Sequence, residues 1–251
     1  MSSPDPESVA AARERIALLQ SRTTELSAPD QHVRLIGVSK THGPERIAEL
    51  HAAGLRDFGE NRQNEARDKF PLVTPLLPAD APPPCYHHIG PLQSGSARQI
   101  APLFDWVHGV SDPGARGDAL DTLLKSAARR RPELAGSGRG PLHYLFQIDL
   151  TGEASKAGGL APEVVRGLDR FPENEHARFA GFMTMGPGSQ DPGETREVFE
   201  RLRELRDELA PKSELSKGMS GDWELAVQAG ATMIRIGTAR FGPRGPGPWR
   251  P

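Results

Sequence analysis

Val33-Arg34-Leu35-Ile36-Gly37-Val38 is a short apolar run of strand character, and it leads directly into Ser39-Lys40-Thr41. The chain then repeats this arrangement. Residues 46–53 carry a helical pattern that stops at Gly54, residues 55–59 read as a second strand, and residues 61–70 as a second helix. A Pro-rich loop is expected over 71–84. Further strands are expected at 86–89, 106–110, 143–150, 179–185, 214–216 and 232–236, with helices at 93–103, 113–131, 162–171, 194–209 and 223–229 between and after them. Upstream, Val9, Ala12, Ile16, Leu19 and Thr23 give residues 6–25 the spacing of an amphipathic helix. Eight strands, each followed by a helix or by the tail, predict a single-domain α/β protein, a (β/α)8 TIM-like barrel with an extra N-terminal helix. An open doubly wound sheet is the alternative, because periodicity does not settle closure. The expected division is a flexible N-terminus at 1–7, the barrel at 8–243 and a disordered tail at 244–251.

Composition narrows the function. The 251 residues carry 31 basic and 33 acidic side chains, a near balance that argues against nucleic-acid binding through global positive charge. No apolar run is long enough for a membrane span, and the polar, acidic N-terminus lacks a signal core, so the expected location is the cytoplasm. A single cysteine, Cys85, excludes an internal disulfide and a Cys-based zinc finger. Cys85, His87, His88 and His108 raise the question of a metal. Adjacent strand residues face opposite ways, so His87 and His88 do not readily share an ion, and no metal is expected.

In a barrel the chemistry collects where strands end. Lys40 follows the first strand, at a position where partial desolvation favours a nucleophilic amine; an exposed loop lysine is the plainer alternative. Ser216-Lys217-Gly218-Met219-Ser220-Gly221-Asp222 follows the seventh strand and opens a helix, and Gly237-Thr238 follows the eighth. Hydroxyls and backbone N–H groups in those two places form the usual barrel phosphate site. The glycine loop at 136–140 precedes a strand rather than a helix, which excludes a dinucleotide fingerprint.

Six ordered motifs then carry a resemblance. They are Leu35-Ile36-Gly37-Val38-Ser39-Lys40-Thr41, Phe58-Gly59-Glu60-Asn61, His88-Ile89-Gly90-Pro91-Leu92-Gln93, Glu153-Ala154-Ser155-Lys156-Ala157-Gly158, Leu215-Ser216-Lys217-Gly218-Met219-Ser220 and Arg235-Ile236-Gly237-Thr238-Ala239-Arg240-Phe241-Gly242. Over residues 8–243 the chain resembles the pyridoxal-phosphate homeostasis proteins, the YggS/PROSC-like relatives of the N-terminal barrel of alanine racemase. The resemblance implies pyridoxal 5'-phosphate as cofactor, with Lys40 as the Schiff-base lysine and Asn61 near the cofactor ring. It further implies Ser220, Gly237 and Thr238 on the phosphate, Arg235 at the pyridine nitrogen, Met183 and Met219 lining the pocket, and His88 in the place of a family histidine. Departures are Ser94-Gly95-Ser96 where the family has Asn-Lys after Leu-Gln, Ala231 before Thr232, Phe182 in Gly181-Phe182-Met183, and Arg240 in place of an aliphatic residue.

The resemblance implies a cofactor-binding protein of intracellular homeostasis that passes pyridoxal phosphate to transiently bound apo enzymes, expected as a monomer and not as an enzyme. The alternative is a weak amino-acid racemase. Racemisation needs an acid/base group on each face of the substrate. Alanine racemase supplies the second from a tyrosine and adds a β-domain, for which 251 residues leave no room. Tyr86 and Tyr144 lie near the starts of predicted strands, away from the rim. An arginine at the pyridine nitrogen leaves it unprotonated and weakens the ring as an electron sink.

Overall fold

A computed structural model describes residues 4–152, 158–189 and 191–241. Residues 153–157 of the motif at 153–158 and the expected tail at 244–251 lie outside the described residues. Eight parallel strands pair in chain order, and the last closes on the first: β1 (Arg34–Val38), β2 (Asp57–Glu60), β3 (Cys85–Pro91), β4 (Trp106–Val110), β5 (Leu142–Gln147), β6 (Ala177–Met183), β7 (Glu214–Met219) and β8 (Met233–Gly237). The expected (β/α)8 barrel is therefore closed, not an open sheet. The helices are α1 (Pro6–Leu26), α2 (Pro44–Ala52), α3 (Gln63–Val73), α4 (Ser94–Leu103), α5 (Ala119–Arg130), α6 (Pro162–Arg166), α7 (Pro192–Leu209) and α8 (Trp223–Gln228).

Helix α1 starts at Pro6, inside the segment expected to be flexible. Proline suits the first helical position, and the Asp5 carboxylate accepts from Ser8 N–H at 2.9 Å as the cap. It buries Ala12 and Ile16, and the Ser8 hydroxyl donates to Glu49 of α2 at 2.7 Å. Helix α3 continues through Pro71 to Val73, where the sequence suggests a loop. Pro71 removes one helical hydrogen bond near the helix end, and burial of Phe70, Val73 and Leu76 outweighs that loss. Helix α5 starts later than expected, at Ala119, because Gly114 and Gly117 adopt φ of +83° and +96° and break the helical path.

Strand side chains alternate between two environments. Outward residues such as Phe58, Tyr86, Val107, Tyr144, Phe146, Phe182, Leu215 and Ile234 join the large core between sheet and helices. Inward residues form a separate cluster of Ile36, Trp106, Leu145, Met183 and Met233. The lumen also holds a polar line. His87 Nε2 lies 2.9 Å from Asp57 Oδ1 and His87 Nδ1 lies 3.0 Å from His108 Nε2. His108 Nδ1 lies 2.8 Å from Ser216 Oγ, and Ser216 Oγ accepts from the Arg235 guanidinium. Burial lowers the pKa of both imidazoles, so they are neutral near pH 7.

His88 takes the opposite face. Its ring packs edge-on against Phe104, outside the barrel wall, with Nδ1 buried and without a partner. The expectation of His88 at the cofactor is thus corrected: period-two alternation sends His87 into the lumen and His88 into the helix layer. Burial holds the His88 pKa down at about 4, against an ordinary 6.5. Between those values the unfolded chain binds the proton and the native state does not. Stability is therefore unaffected above about pH 6.5 and falls as pH drops toward 4, by up to about 3 kcal/mol. His88→Phe should flatten this limb in denaturant titrations at several pH values, whatever constant packing cost the larger ring adds. An unchanged slope would reject the assignment.

Candidate functional site

The C-terminal ends of the strands bring most of the expected site residues to one rim. Val38 of β1 is in register with Gly237 of β8, so Lys40, two residues beyond Val38, stands next to the turn that begins at Thr238. Lys40 is exposed.

A buried scaffold fixes the backbone on either side of it. Ser39 Oγ donates to Glu60 Oε1 at 2.8 Å, and Lys69 Nζ of α3 donates to Ser39 O at 3.1 Å. The same ammonium bonds Glu60 Oε1 at 2.8 Å and Glu65 Oε1 at 2.7 Å. Glu65 Oε1 also accepts from Thr41 N–H at 2.7 Å, and Thr41 is held at φ +66°. A threonine in the left-handed region is strained, and it persists where surrounding contacts over-determine it.

The second half of the site is the turn between β7 and α8 facing the end of β8. Gly218 has φ +88°, and a Cβ there would come within 2.5 Å of the Ala226 side chain, so only glycine lets the strand end meet α8 this closely. Asp222 closes the turn by accepting from Met219 N–H at 2.6 Å. Gly237 N–H donates to Ser220 Oγ at 3.0 Å. That bond uses a lone pair of Ser220 and leaves its O–H free to donate elsewhere. Thr238 Oγ1 is buried with no partner. An unsatisfied buried hydroxyl costs roughly 1–3 kcal/mol, which an anionic ligand at this turn would recover. Arg240, for which the sequence gives no role, donates to Ser220 O at 2.6 Å and ties the two turns together.

Arg235 stands in the lumen on β8, 5% exposed. It donates to Ser216 Oγ and, at 3.2 Å, to Thr184 O. Burial lowers its pKa to about 10, so it remains a cation at neutral pH. Met183 is buried in the lumen, and Met219 is 42% exposed on the rim. Asn61 is exposed just past β2, its backbone against Gly90: a Cβ on Gly90 would lie 2.4 Å from Asn61 O. Lys40, Asn61, Met219, Ser220, Gly237 and Thr238 thus occupy the rim, with Arg235 and Met183 inside the barrel. His88 is not among them.

An exposed primary amine, facing hydroxyls of which that of Thr238 is buried without a partner, and a buried guanidinium give this (β/α)8 barrel groups that could hold a phosphorylated carbonyl compound. The comparisons agree with that class. The family described as alanine racemase, N-terminal domain, matches residues 8–245. The pyridoxal phosphate homeostasis protein of Pseudomonas aeruginosa is 40% identical over 214 residues, 84% of this chain and 85% of that protein. The structure of PipY from Synechococcus elongatus with PLP bound is 33% identical, has a TM-score of 0.72, and covers 92% of this chain and 100% of PipY. Alanine racemase from a D-cycloserine-producing Streptomyces lavendulae is 16% identical with a TM-score of 0.61, over 93% of this chain and 57% of that chain, a likeness of fold. The chain belongs to the family of pyridoxal phosphate homeostasis proteins.

Proposed function

We propose that this chain binds pyridoxal 5'-phosphate on the rim, holds it on Lys40 and releases it to apo enzymes, without an enzyme activity of its own. The observation that carries the reading is the placement of Lys40 beside the Ser220/Thr238 cradle, in which the buried Thr238 hydroxyl awaits an acceptor. When bound, the cofactor supplies an aldehyde that a primary amine captures. Lys40 provides that amine at an exposed position, where a second amine has access to displace it. Ser220 and Thr238 hold the phosphate, and Arg235, a cation in the lumen, keeps a donor toward the ring nitrogen.

Both tyrosines turn away from the lumen, which argues against either as a second base. Tyr86 stacks on Phe70 outside the barrel wall, with ring centroids 3.6 Å apart, and Tyr144 donates its hydroxyl to Pro172 O. This favours carriage over racemisation. The protein is read as a monomer that meets its recipients transiently in the cytoplasm.

An unrelated apo pyridoxal-phosphate enzyme mixed with the loaded protein should regain activity, while alanine and other common amino acids are not measurably inverted. Deuterium exchange at the amino-acid α-carbon is the sharper assay. Exchange near the roughly 1–10³ per second typical of enzymes, and lost in Lys40→Ala, would make the protein an enzyme instead.

The cradle has its own test. A hydrogen bond to a charged group contributes roughly 1.5–3 kcal/mol, so each lost hydroxyl should weaken pyridoxal phosphate binding about tenfold or more. Ser220→Ala with Thr238→Val should therefore bind the phosphorylated cofactor far more weakly and unphosphorylated pyridoxal almost as before. Equal losses for both ligands would remove the cradle from the phosphate.

A further inference from the structure

We propose a second site, a divalent transition-metal site of the zinc type, at the opposite end of the barrel from Lys40, formed by Asp57, Cys85 and His87. Asp57 and Cys85 are register partners on β2 and β3, and Cys85 and His87 are two apart on β3, so all three project into the lumen at the starts of their strands. Cys85 Sγ lies 3.5 Å from His87 Nε2, which lies 2.9 Å from Asp57 Oδ1. One donor atom from each residue lies within 4.8 Å of the others. Tetrahedral zinc, with Zn–S near 2.3 Å and Zn–N and Zn–O near 2.0–2.2 Å, places such ligand atoms about 3.4–3.6 Å apart. The sulfur–nitrogen pair already has that spacing, and the nitrogen–oxygen pair reaches it by opening about half an ångström as a hydrogen bond gives way to two metal bonds.

The donor set selects the ion. One thiolate, one imidazole and one carboxylate suit zinc or cobalt and do not suit magnesium or calcium, which take oxygen ligands. Three protein ligands leave a fourth position for water. Asp57 keeps its side chain 17% exposed, and Arg34, 3.7 Å from Asp57 Oδ1, is 35% exposed. Arg34 also lines a cleft of about 690 Å³ beneath α1, at the same end of the barrel. Arg34 therefore has open space to move into as the ion enters.

The surroundings of His87 supply what a metal-binding histidine requires. Such a ligand donates its other ring N–H to a fixed acceptor. His87 Nδ1 faces His108 Nε2 at 3.0 Å, and His108 Nδ1 faces Ser216 Oγ at 2.8 Å. Without metal, His87 Nε2–H bonds Asp57, and His87 Nδ1 accepts from His108. With metal, Nε2 gives its lone pair to the ion, the imidazole proton sits on Nδ1, and the chain of donors points from His87 through His108 toward Ser216. The imidazoles keep their proton count, and the Cys85 thiol releases one proton to solvent as its sulfur binds.

The full-length, cofactor-loaded protein titrated with Co²⁺ should bind one equivalent. Its spectrum should show tetrahedral ligand-field bands and a thiolate-to-cobalt charge-transfer band, and Zn²⁺ should displace the ion. Cys85→Ser should remove the charge-transfer band. Cys85→Ser and Asp57→Asn, both close in size to the native residues, should each weaken Zn²⁺ binding beyond the roughly 10–100-fold that outer partners alone command. Lys40→Ala should bind Zn²⁺ as the parent does. A cobalt spectrum without the thiolate band, Zn²⁺ affinity unchanged in Cys85→Ser, or binding lost in Lys40→Ala would each overturn the site, the last by placing the ion on the cofactor.

Discussion

Lys40→Ala should lose the covalent cofactor completely. The purified variant should show neither the visible absorbance of a Schiff base nor an adduct fixed by borohydride, whereas the parent should yield the modified peptide containing Lys40. The expectation rests on which other lysines have access to the rim. Lys217 follows the seventh strand's Ser216 in sequence, yet it points outward: its ammonium is fully buried and donates to Phe199 O at 2.7 Å and Ala229 O at 2.8 Å. Burial lowers its pKa to about 7, an activated amine by that measure, but one walled off from the lumen by the sheet. Lys69 is buried among Ser39 O, Glu60 and Glu65. Lys125 sits on α5, ion-paired with Asp121 at 2.6 Å. Among the described residues, Lys40 stands beside the cradle. The variant should still bind pyridoxal phosphate reversibly through Ser220 and Thr238, so residual affinity without a reducible adduct is the full expected pattern. An adduct at the parent's level mapped to Lys217 or Lys156 would move the amine elsewhere.

What was legible in the sequence followed from strand ends. Lys40, Ser220, Gly237 and Thr238 each stand just past, or at the last residue of, a strand, and barrel topology alone sends all such positions to one rim. The sequence does not place His88, because two adjacent histidines alternate faces and nothing local says which points inward. The deciding contacts are Asp57 and His108, 30 and 21 residues away from His87. Arg240 had no legible role because its partner, Ser220 O, comes from the neighbouring turn. The scaffold under Lys40 was half legible. Glu65 and Lys69 are four apart on one helix, a spacing that pairs them. Glu60, in the motif Phe58-Gly59-Glu60-Asn61, reads as a rim residue but turns outward to meet Lys69. A carboxylate and an ammonium that are both fully buried become visible only once β2 and α3 are packed together.

That buried pair carries the second large effect. Lys69→Met should destabilise the protein by about 3–5 kcal/mol, the usual cost of removing one partner from a buried ion pair. Against a total stability of about 5–15 kcal/mol this is a large fraction. The reason is what remains. Glu60 Oε1 would keep only the Ser39 hydroxyl, and Oε2 is already buried without a partner. Methionine is an unbranched chain only one atom shorter than lysine, so the packing change is small and the charge dominates. Burial already raises the Glu60 pKa, and Lys69 opposes that shift. Without Lys69 the pKa rises further. A native-state carboxyl that holds its proton to higher pH than the unfolded chain does gains stability as pH falls. The penalty should therefore be larger near pH 8 than near pH 5. Glu60→Gln combined with Lys69→Met should recover more than half of the loss, because no fully buried charge is then left stranded and Glu65 keeps partial access to water. The backbone around Lys40 should loosen with the single variant, since Lys69 bonds Ser39 O and positions Glu65 against the strained Thr41. Borohydride trapping of the cofactor should then be slower even under conditions where the variant is fully folded. Denaturation within about 1 kcal/mol of the parent at neutral pH, in the range of an exposed pair, would show that the cluster does not hold the loop.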